Sequence, residues 1–103
     1  MMPVELAPEV LAEVDEAARW YDAQRPGLGR DLVAELDAAL ARLAETATSF
    51  PRLQDLPDDL QVRRCLLSRF PYGIVFTILP DRVRVVAFAH LKRRPGYWLG
   101  NVR

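Results

Sequence analysis

The amino-acid sequence predicts an α+β domain in which two helices pack on one face of a twisted antiparallel sheet. Two helical repeats of apolar residues fill the first half of the chain, and three strand-like runs follow in the second half. Strands joined by short connections form antiparallel meanders, and helices on one face of such a sheet are typical of the α+β class. With 103 residues, the chain has the length of a single domain, residues 1–103.

The first predicted elements are a short strand and a helix. Val4-Glu5-Leu6 is the strand candidate, and Pro8 ends it, because proline suits the first turn of a helix. Between Glu9 and about Ala23 the apolar residues recur at helical spacing, at Leu11, Val14, Ala18 and Tyr21. Turn-forming residues then end this helix, in the segment Gln24-Arg25-Pro26-Gly27-Leu28-Gly29.

A second helix is predicted from about Arg30 to Ala47. Its apolar residues again keep helical spacing, at Val33, Leu36, Leu40 and Leu43. The short connection between the two helices favours an antiparallel α-hairpin. A loop then runs from Thr48 to Leu60 and contains two prolines.

Three strand-like runs form the predicted meander, at Val62 to Phe70, Gly73 to Leu79 and Arg82 to His90. Because side chains alternate along a strand, the third run has two different faces. One face carries Arg84, Val86, Phe88 and His90. The other face is small and uniformly apolar, so we expect it to pack against the helices; it carries Val83, Val85, Ala87 and Ala89.

The net charge of zero conceals a division between two parts of the chain. Residues 1–61 carry five basic and 13 acidic side chains, a net charge of −8. Residues 62–103 carry nine basic side chains and one acidic side chain, a net charge of +8. Such asymmetry suggests that one face meets an anionic partner. The alternative is that the two parts neutralise each other within one fold.

Several classes of protein are disfavoured by composition. Cys65 is the only cysteine, so an intramolecular disulfide and a CxxC site are excluded, and we expect this residue to lie in the core. No apolar run approaches the ~20 residues of a membrane span, and the N-terminus lacks the pattern of a signal peptide. We therefore expect a cytoplasmic protein without membrane contact. No metal-ligand cluster or phosphate-binding loop is present, so we expect neither a metal nor a cofactor.

The most unusual stretch is the C-terminal tail from His90 to Trp98. Nine residues contain one histidine, three cations and two aromatic side chains. Arginine clamps phosphate, aromatic rings stack on bases, and histidine moves protons near neutral pH. The same composition suits a protein interface. The candidate target-binding residues are His90, Lys92, Arg93, Arg94, Tyr97 and Trp98. In the structural alternative, Tyr97 and Trp98 fold back and cover the edge of the sheet.

The first strand-like run carries Arg63, Arg64 and Arg69. Alternation places Arg63 and Arg69 on one face and Arg64 on the other. An arginine at a sheet edge also serves to block aggregation without any role in chemistry.

The quoted segments occur together in an order that resembles a known family. Ala18-Arg19-Trp20-Tyr21, Pro26-Gly27-Leu28-Gly29, Phe70-Pro71-Tyr72, His90, Arg94-Pro95 and Tyr97-Trp98 follow one another along nearly the whole chain. Together they resemble the ParE branch of the ParE/RelE toxins of bacterial type II toxin–antitoxin systems. The resemblance implies a strand, an α-hairpin and a three-strand meander, in agreement with the prediction above.

The resemblance also implies two different activities. ParE-like members poison DNA gyrase, whereas RelE-like members cleave mRNA in the ribosome. RNA cleavage requires a proton acceptor, a proton donor and cations around the phosphate. Here the only lysine is Lys92, and the α-hairpin is acidic, so we favour the gyrase inhibitor. The nuclease alternative would use Arg63, Arg69, His90, Arg93 and Tyr97, and a third possibility is a non-toxic binding module.

The resemblance further implies a cognate, ParD-like antitoxin that wraps and neutralises the toxin. We expect one antitoxin helix to pack across the α-hairpin and an extended segment to add along the sheet. Trp20 lies off the main apolar stripe of the first helix and is the candidate anchor for the antitoxin. The alternative is that Trp20 packs under the second helix.

Overall fold

A computed structural model describes residues 1–57 and 59–102 of the chain. It confirms the predicted α+β class. A four-stranded sheet has the strand order β1-β4-β3-β2, and two helices connect β1 to the meander. The elements are β1 (Val4–Leu6), α1 (Pro8–Gln24), α2 (Leu28–Thr46), β2 (Val62–Leu66), β3 (Tyr72–Ile78) and β4 (Val83–His90).

Two glycines shape the junction of the helices: Gly27 in the turn and Gly29 at their close contact. Gly27 has a φ of 91°, a left-handed conformation that glycine adopts readily, and α2 begins at the next residue. The connection is therefore three residues long, rather than the six expected. At Gly29, a Cβ atom would lie only 2.4 Å from the carbonyl oxygen of Ala18. The Gly29 N–H instead donates to Asp22 Oδ1 at 2.8 Å, which ties α2 to the end of α1.

The buried faces of the helices differ in part from the predicted stripes. Leu11 was expected in the core but is 58% exposed, whereas Val10 and Ala17 are buried. The reason is that α1 packs against β4 as well as α2, so the sheet helps to set its buried face. The buried residues of α2 are Gly29, Leu32, Leu36, Ala39 and Leu43.

The predicted meander is confirmed, but the sheet is not wholly antiparallel. β2 pairs with β3 and β3 pairs with β4 in antiparallel register, whereas β1 pairs with β4 in parallel. This arrangement sets Glu5 beside Arg84, and the two side chains form an ion pair. The end of β2 was also predicted too late: the strand ends at Leu66, and Arg69 lies in the bend that follows.

A bulge in β4 reverses the predicted faces of the second half of that strand. Val75 pairs with Ala87 and the adjacent Phe76 pairs with Val85, which leaves Val86 as an extra residue. Val83 and Val85 face the helices as predicted. Beyond the bulge, however, Phe88 joins the core under the helices, while Ala87 and Ala89 belong to the opposite face. Simple alternation was wrong there because it contains no bulge.

The sheet is covered on both faces. One hydrophobic core lies between the sheet and the α-hairpin and includes Leu32, Cys65 and Phe76. The burial of Cys65 confirms it as a core residue. A second core lies on the other face, where the loop before β2 and the C-terminal tail cover the sheet. In the described part of the chain, no helix is long and apolar enough to cross a membrane.

Two leucines on the hairpin provide a matched test of this packing. Leu32→Ala removes a fully buried side chain, so we expect the free energy of unfolding to fall by about 2–5 kcal/mol. Leu11→Ala changes an exposed position on α1, and its effect should stay within about 0.5 kcal/mol. Urea denaturation of both variants measures the difference. Equal losses of stability would contradict the described position of α1.

Candidate functional site

The candidate site lies where α1 crosses the ends of β3 and β4. A cavity of about 390 Å³ opens there between the helix and the sheet. The bulge in β4 directs both Phe88 and His90 toward it. Its lining combines carboxylates, aromatic rings and one arginine, namely Glu13, Glu16, Trp20, Tyr21, Tyr72, Phe88, His90 and Arg93, together with Ala17.

Aromatic rings form one wall of this cavity. The Tyr72 ring stacks on Phe88 with the centroids 4.6 Å apart, and the His90 ring meets Tyr72 edge-on at 5.2 Å. Tyr21 contacts Tyr72 from the helix side at 6.3 Å. Burial raises the pKa of Tyr72, and the neighbouring Tyr21 and the carboxylates of α1 raise it further. The Tyr72 hydroxyl therefore stays protonated at neutral pH.

Glu13 joins α1 to both β4 and the tail. Its carboxylate accepts the Phe88 N–H at 3.0 Å and also accepts the Tyr97 hydroxyl. Burial raises the pKa of Tyr97 well above its ordinary value, and the hydrogen bond to Glu13 adds to that effect. On the other side, the Arg93 guanidinium lies 3.9 Å from the centroid of the Tyr97 ring. Tyr97 is thus a protonated hydrogen-bond donor that lies between the Glu13 carboxylate and the Arg93 guanidinium.

The end of the tail is anchored in the second core. Trp98 is only 5% exposed and packs with Val75 and Val86. The Asn101 side chain donates to the Val86 carbonyl at 3.2 Å. This geometry agrees with the structural alternative for Trp98, which covers the sheet and leaves almost no surface for a target. Tyr97 also folds back, although it remains half-buried.

The first part of the tail, by contrast, is exposed and cationic. Lys92, Arg93 and Arg94 follow one another at the surface, and within the described residues none forms an ion pair with a carboxylate. The Lys92 N–H donates to His90 Nδ1 at 3.0 Å. Because Nδ1 accepts this hydrogen bond, Nε2 is the ring nitrogen that can donate. We call Lys92, Arg93 and Arg94 the tail patch.

A groove on the opposite face of the sheet adjoins the tail patch. Its volume is about 350 Å³, and Val75 and Ala89 contribute apolar surface to it. Arg64 lines this groove beside the tail, as the predicted alternation placed it on the face away from Arg63. Gly73 makes room for the Arg64 side chain, because a Cβ there would lie 2.9 Å from Arg64 Cδ. The groove therefore adds a fourth cation at this end of the sheet.

Only three members of the predicted nuclease set come together. His90 and Arg93 line the cavity, and Tyr97 lies against Arg93. The other two members are held elsewhere. Arg63 donates to the Phe50 carbonyl at 2.6 Å, and Arg69 pairs with Glu35 on α2 at 3.6 Å.

Comparison with known proteins agrees with this architecture. A family model described as "ParE toxin of type II toxin-antitoxin system, parDE" matches residues 4–95.

The chain belongs to the ParE toxin family.

A solved chain from the "Chromosomal ParDE TA system from P. aeruginosa" has the same fold, with a TM-score of 0.75 and 18% sequence identity. The alignment covers 87% of the present chain and 96% of the solved one. No curated protein matches the sequence significantly. The region matched to the ParE family includes the tail patch but ends at residue 95, before Tyr97 and Trp98.

Trp20 occupies an exposed position on α1 of this ParE-family toxin. It is 59% exposed, so the alternative of packing under α2 is wrong. Its ring touches only the edge of Tyr21 among the aromatic side chains of the described residues, at 4.9 Å. Trp20 also lines the cavity at the end of the sheet. A large apolar side chain in such a position is a typical interface anchor.

Sequence reasoning missed Glu13 and Tyr72 as members of the site. Glu13 is one of several acidic residues along α1. Its spacing to Glu16 and Trp20 already places these three residues on one face of the helix. The contact of Glu13 with Tyr97 had no comparable signal, because 84 residues separate the two.

Glu35 holds the bend that contains Arg69, and this contact depends on pH. Burial raises the pKa of Glu35, but hydrogen bonds from Ser68 and Arg69 outweigh that effect and hold the pKa below its ordinary value of 4.5. The ionised carboxylate therefore stabilises the ParE fold above about pH 4.5, and this contribution is lost as pH falls through the lowered pKa. The urea concentration at the midpoint of unfolding should therefore fall less between pH 6 and pH 3 in Glu35→Gln than in the native chain, because the variant has no carboxylate to protonate at this position.

The matched control is Glu45→Gln, an exposed position near the end of the same helix. Its profile of stability against pH should run parallel to that of the native chain. A parallel profile for Glu35→Gln as well would show that the Ser68 contact contributes nothing to stability.

Proposed function

We propose that this ParE-family toxin inhibits DNA gyrase and that a cognate, ParD-like antitoxin neutralises it. The observation that carries the proposal is the tail patch: Lys92, Arg93 and Arg94 are exposed and lack carboxylate partners within the described residues. Gyrase bound to DNA offers an anionic surface of complementary charge. Because gyrase acts on the chromosome, the proposal places the protein in the cytoplasm.

The anchoring of the tail supports this role. Trp98 is buried, and the Tyr97 hydroxyl donates a hydrogen bond to Glu13, so the residues that follow the tail patch are fixed on the sheet. A surface that is ordered before binding loses less conformational entropy when it meets its target. His90, at the start of the tail, is fixed by its contact with Tyr72. The tail patch is therefore a preorganised cationic surface.

The alternative of ribosome-dependent mRNA cleavage has less support. Tyr97 has a raised pKa and donates to Glu13, so it is poorly suited to accept a proton from a ribose hydroxyl. Arg63 and Arg69 are engaged by a carbonyl and a carboxylate away from His90. Cleavage of mRNA on translating ribosomes, weakened by His90→Ala, would favour the nuclease over the gyrase inhibitor.

The direct test is a DNA cleavage assay with purified gyrase, ATP and the toxin freed of any partner. We expect gyrase–DNA breaks to accumulate. The double variant Lys92→Glu/Arg94→Glu reverses two charges of the tail patch and should require about tenfold more protein for the same effect. Arg25→Glu/Arg30→Glu makes the same change at two exposed positions of the hairpin, one in the connection and one in the first turn of α2.

This control pair should leave the yield of gyrase–DNA breaks unchanged, because it lies on the α-hairpin and not in the tail patch. An absence of breaks at large molar excess of the native protein would overturn gyrase inhibition. If breaks form but both pairs weaken them equally, the target contact does not depend on the tail patch. Growth arrest with a DNA-damage response on expression alone would exclude the non-toxic binding module.

The second part of the proposal concerns the antitoxin. We expect its helix to pack across the α-hairpin with Trp20 as an anchor, and an extended segment to add along the sheet. Trp20→Ala removes an exposed aromatic side chain and should weaken the complex by about tenfold or more. Leu91→Ala, at an exposed apolar position on the tail, is the control and should change the affinity by less. Calorimetry with the purified antitoxin measures the affinity of both variants. An unchanged affinity for Trp20→Ala would show that Trp20 is not an anchor.

A further inference from the structure

We propose that the cavity between α1 and the ends of β3 and β4 binds a cationic side chain, an arginine or lysine of the antitoxin. The inference rests on the proposed binding of the antitoxin to α1 and adds the chemistry of one contact. The cavity is open to solvent next to Trp20, the expected anchor, and its volume of about 390 Å³ is ample for one long side chain.

The aromatic side chains that line the cavity are the first feature that suits a cation. Trp20, Tyr21 and Tyr72 all line the cavity, and their rings meet edge to face. The faces of such rings attract ammonium and guanidinium groups, and tryptophan does so most strongly. Because more than half of the Trp20 surface is exposed, its ring is accessible to an incoming side chain.

The carboxylates supply the second half. Glu13 and Glu16 both line the cavity. Burial is the largest cause of the raised pKa of Tyr72, and the charges of these two carboxylates add to it. Glu13 already accepts two hydrogen bonds. The Glu16 side chain is exposed and, within the described residues, its carboxylate forms no hydrogen bond or ion pair. It is therefore the carboxylate that remains available to an incoming cation.

Arg93 shows the same chemistry within the chain itself. Its guanidinium lies on the Tyr97 ring, at the side of the cavity where Tyr97 is bonded to Glu13. One arginine against two carboxylates leaves the lining negative. The whole of α1 carries five acidic residues and one basic residue, Arg19, which pairs with Asp15 at 3.1 Å. This charge complements a basic segment of the antitoxin rather than an acidic one.

The test uses a small probe and the full-length toxin without its antitoxin. N-acetyl-arginine methylamide is titrated into isotopically labelled protein at low salt, and the NMR signal of the Trp20 indole N–H is followed. Trp98 is buried in the second core and serves as an internal reference. We expect the arginine probe to shift the Trp20 signal, and the neutral isostere N-acetyl-citrulline methylamide to leave it almost unchanged.

Glu16→Gln should weaken binding of the arginine probe by about fivefold, the loss expected for one partly exposed charge beside aromatic rings. Glu9→Gln removes the same charge at an exposed position on α1 outside the cavity and should have little effect. Equal shifts with the citrulline probe, no shift of Trp20, or equal weakening by both variants would overturn the proposal. Because neither gyrase nor antitoxin is present, failure of the proposed function leaves this result unaffected.

Discussion

The carboxylate of Glu13 is the interaction on which the functional end of the molecule depends. β1 is only three residues long, so it pairs with β4 no further than Val85 and leaves the rest of that strand edge open. Glu13 accepts the Phe88 N–H at this open edge and accepts the Tyr97 hydroxyl as well. A buried N–H without a partner is costly, and a frayed tail would expose Trp98. One side chain of α1 therefore completes the sheet and holds the tail against it.

The distribution of charge has two outcomes in the fold: some of the cations are paired internally, and others remain exposed. Some cations of residues 62–103 are neutralised internally: Arg82 and Arg84 pair with Glu5, and Arg69 pairs with Glu35. These ion pairs lie near the surface, so the attraction between their charges contributes little to stability. The stabilising effect of Glu35 comes mainly from its hydrogen bonds with Ser68 and Arg69. Among the described residues, no carboxylate forms an ion pair with the tail patch. The acidic surplus consequently stays on the hairpin, while the basic surplus is presented at the end of the sheet.

The architecture was predictable because it follows from local patterns, whereas the site was only partly so. Helical spacing, turn residues and short connections identified both α-helices and the four strands of the described sheet, with errors at their ends of a few residues. The bulge at Val86 could not be seen in the alternation of β4, since an extra residue in one strand is specified by its pairing with β3. This bulge turns the Phe88 and His90 side chains toward the helices. The hydrogen bond between Tyr97 and Glu13 likewise joins two distant residues whose types suit many other contacts.

The cavity and the tail patch meet at Arg93, and this has a consequence for neutralisation. Arg93 lines the cavity and is also the central residue of the tail patch. In the proposed complex, an antitoxin side chain beside Glu16 would lie close to that guanidinium and add a second cation near it. In the proposed complex, the antitoxin chain that carries this side chain would pass close to His90 and Arg93, which line the cavity. In the proposed complex, steric exclusion of the target from the tail patch would require no change in the fold of the toxin.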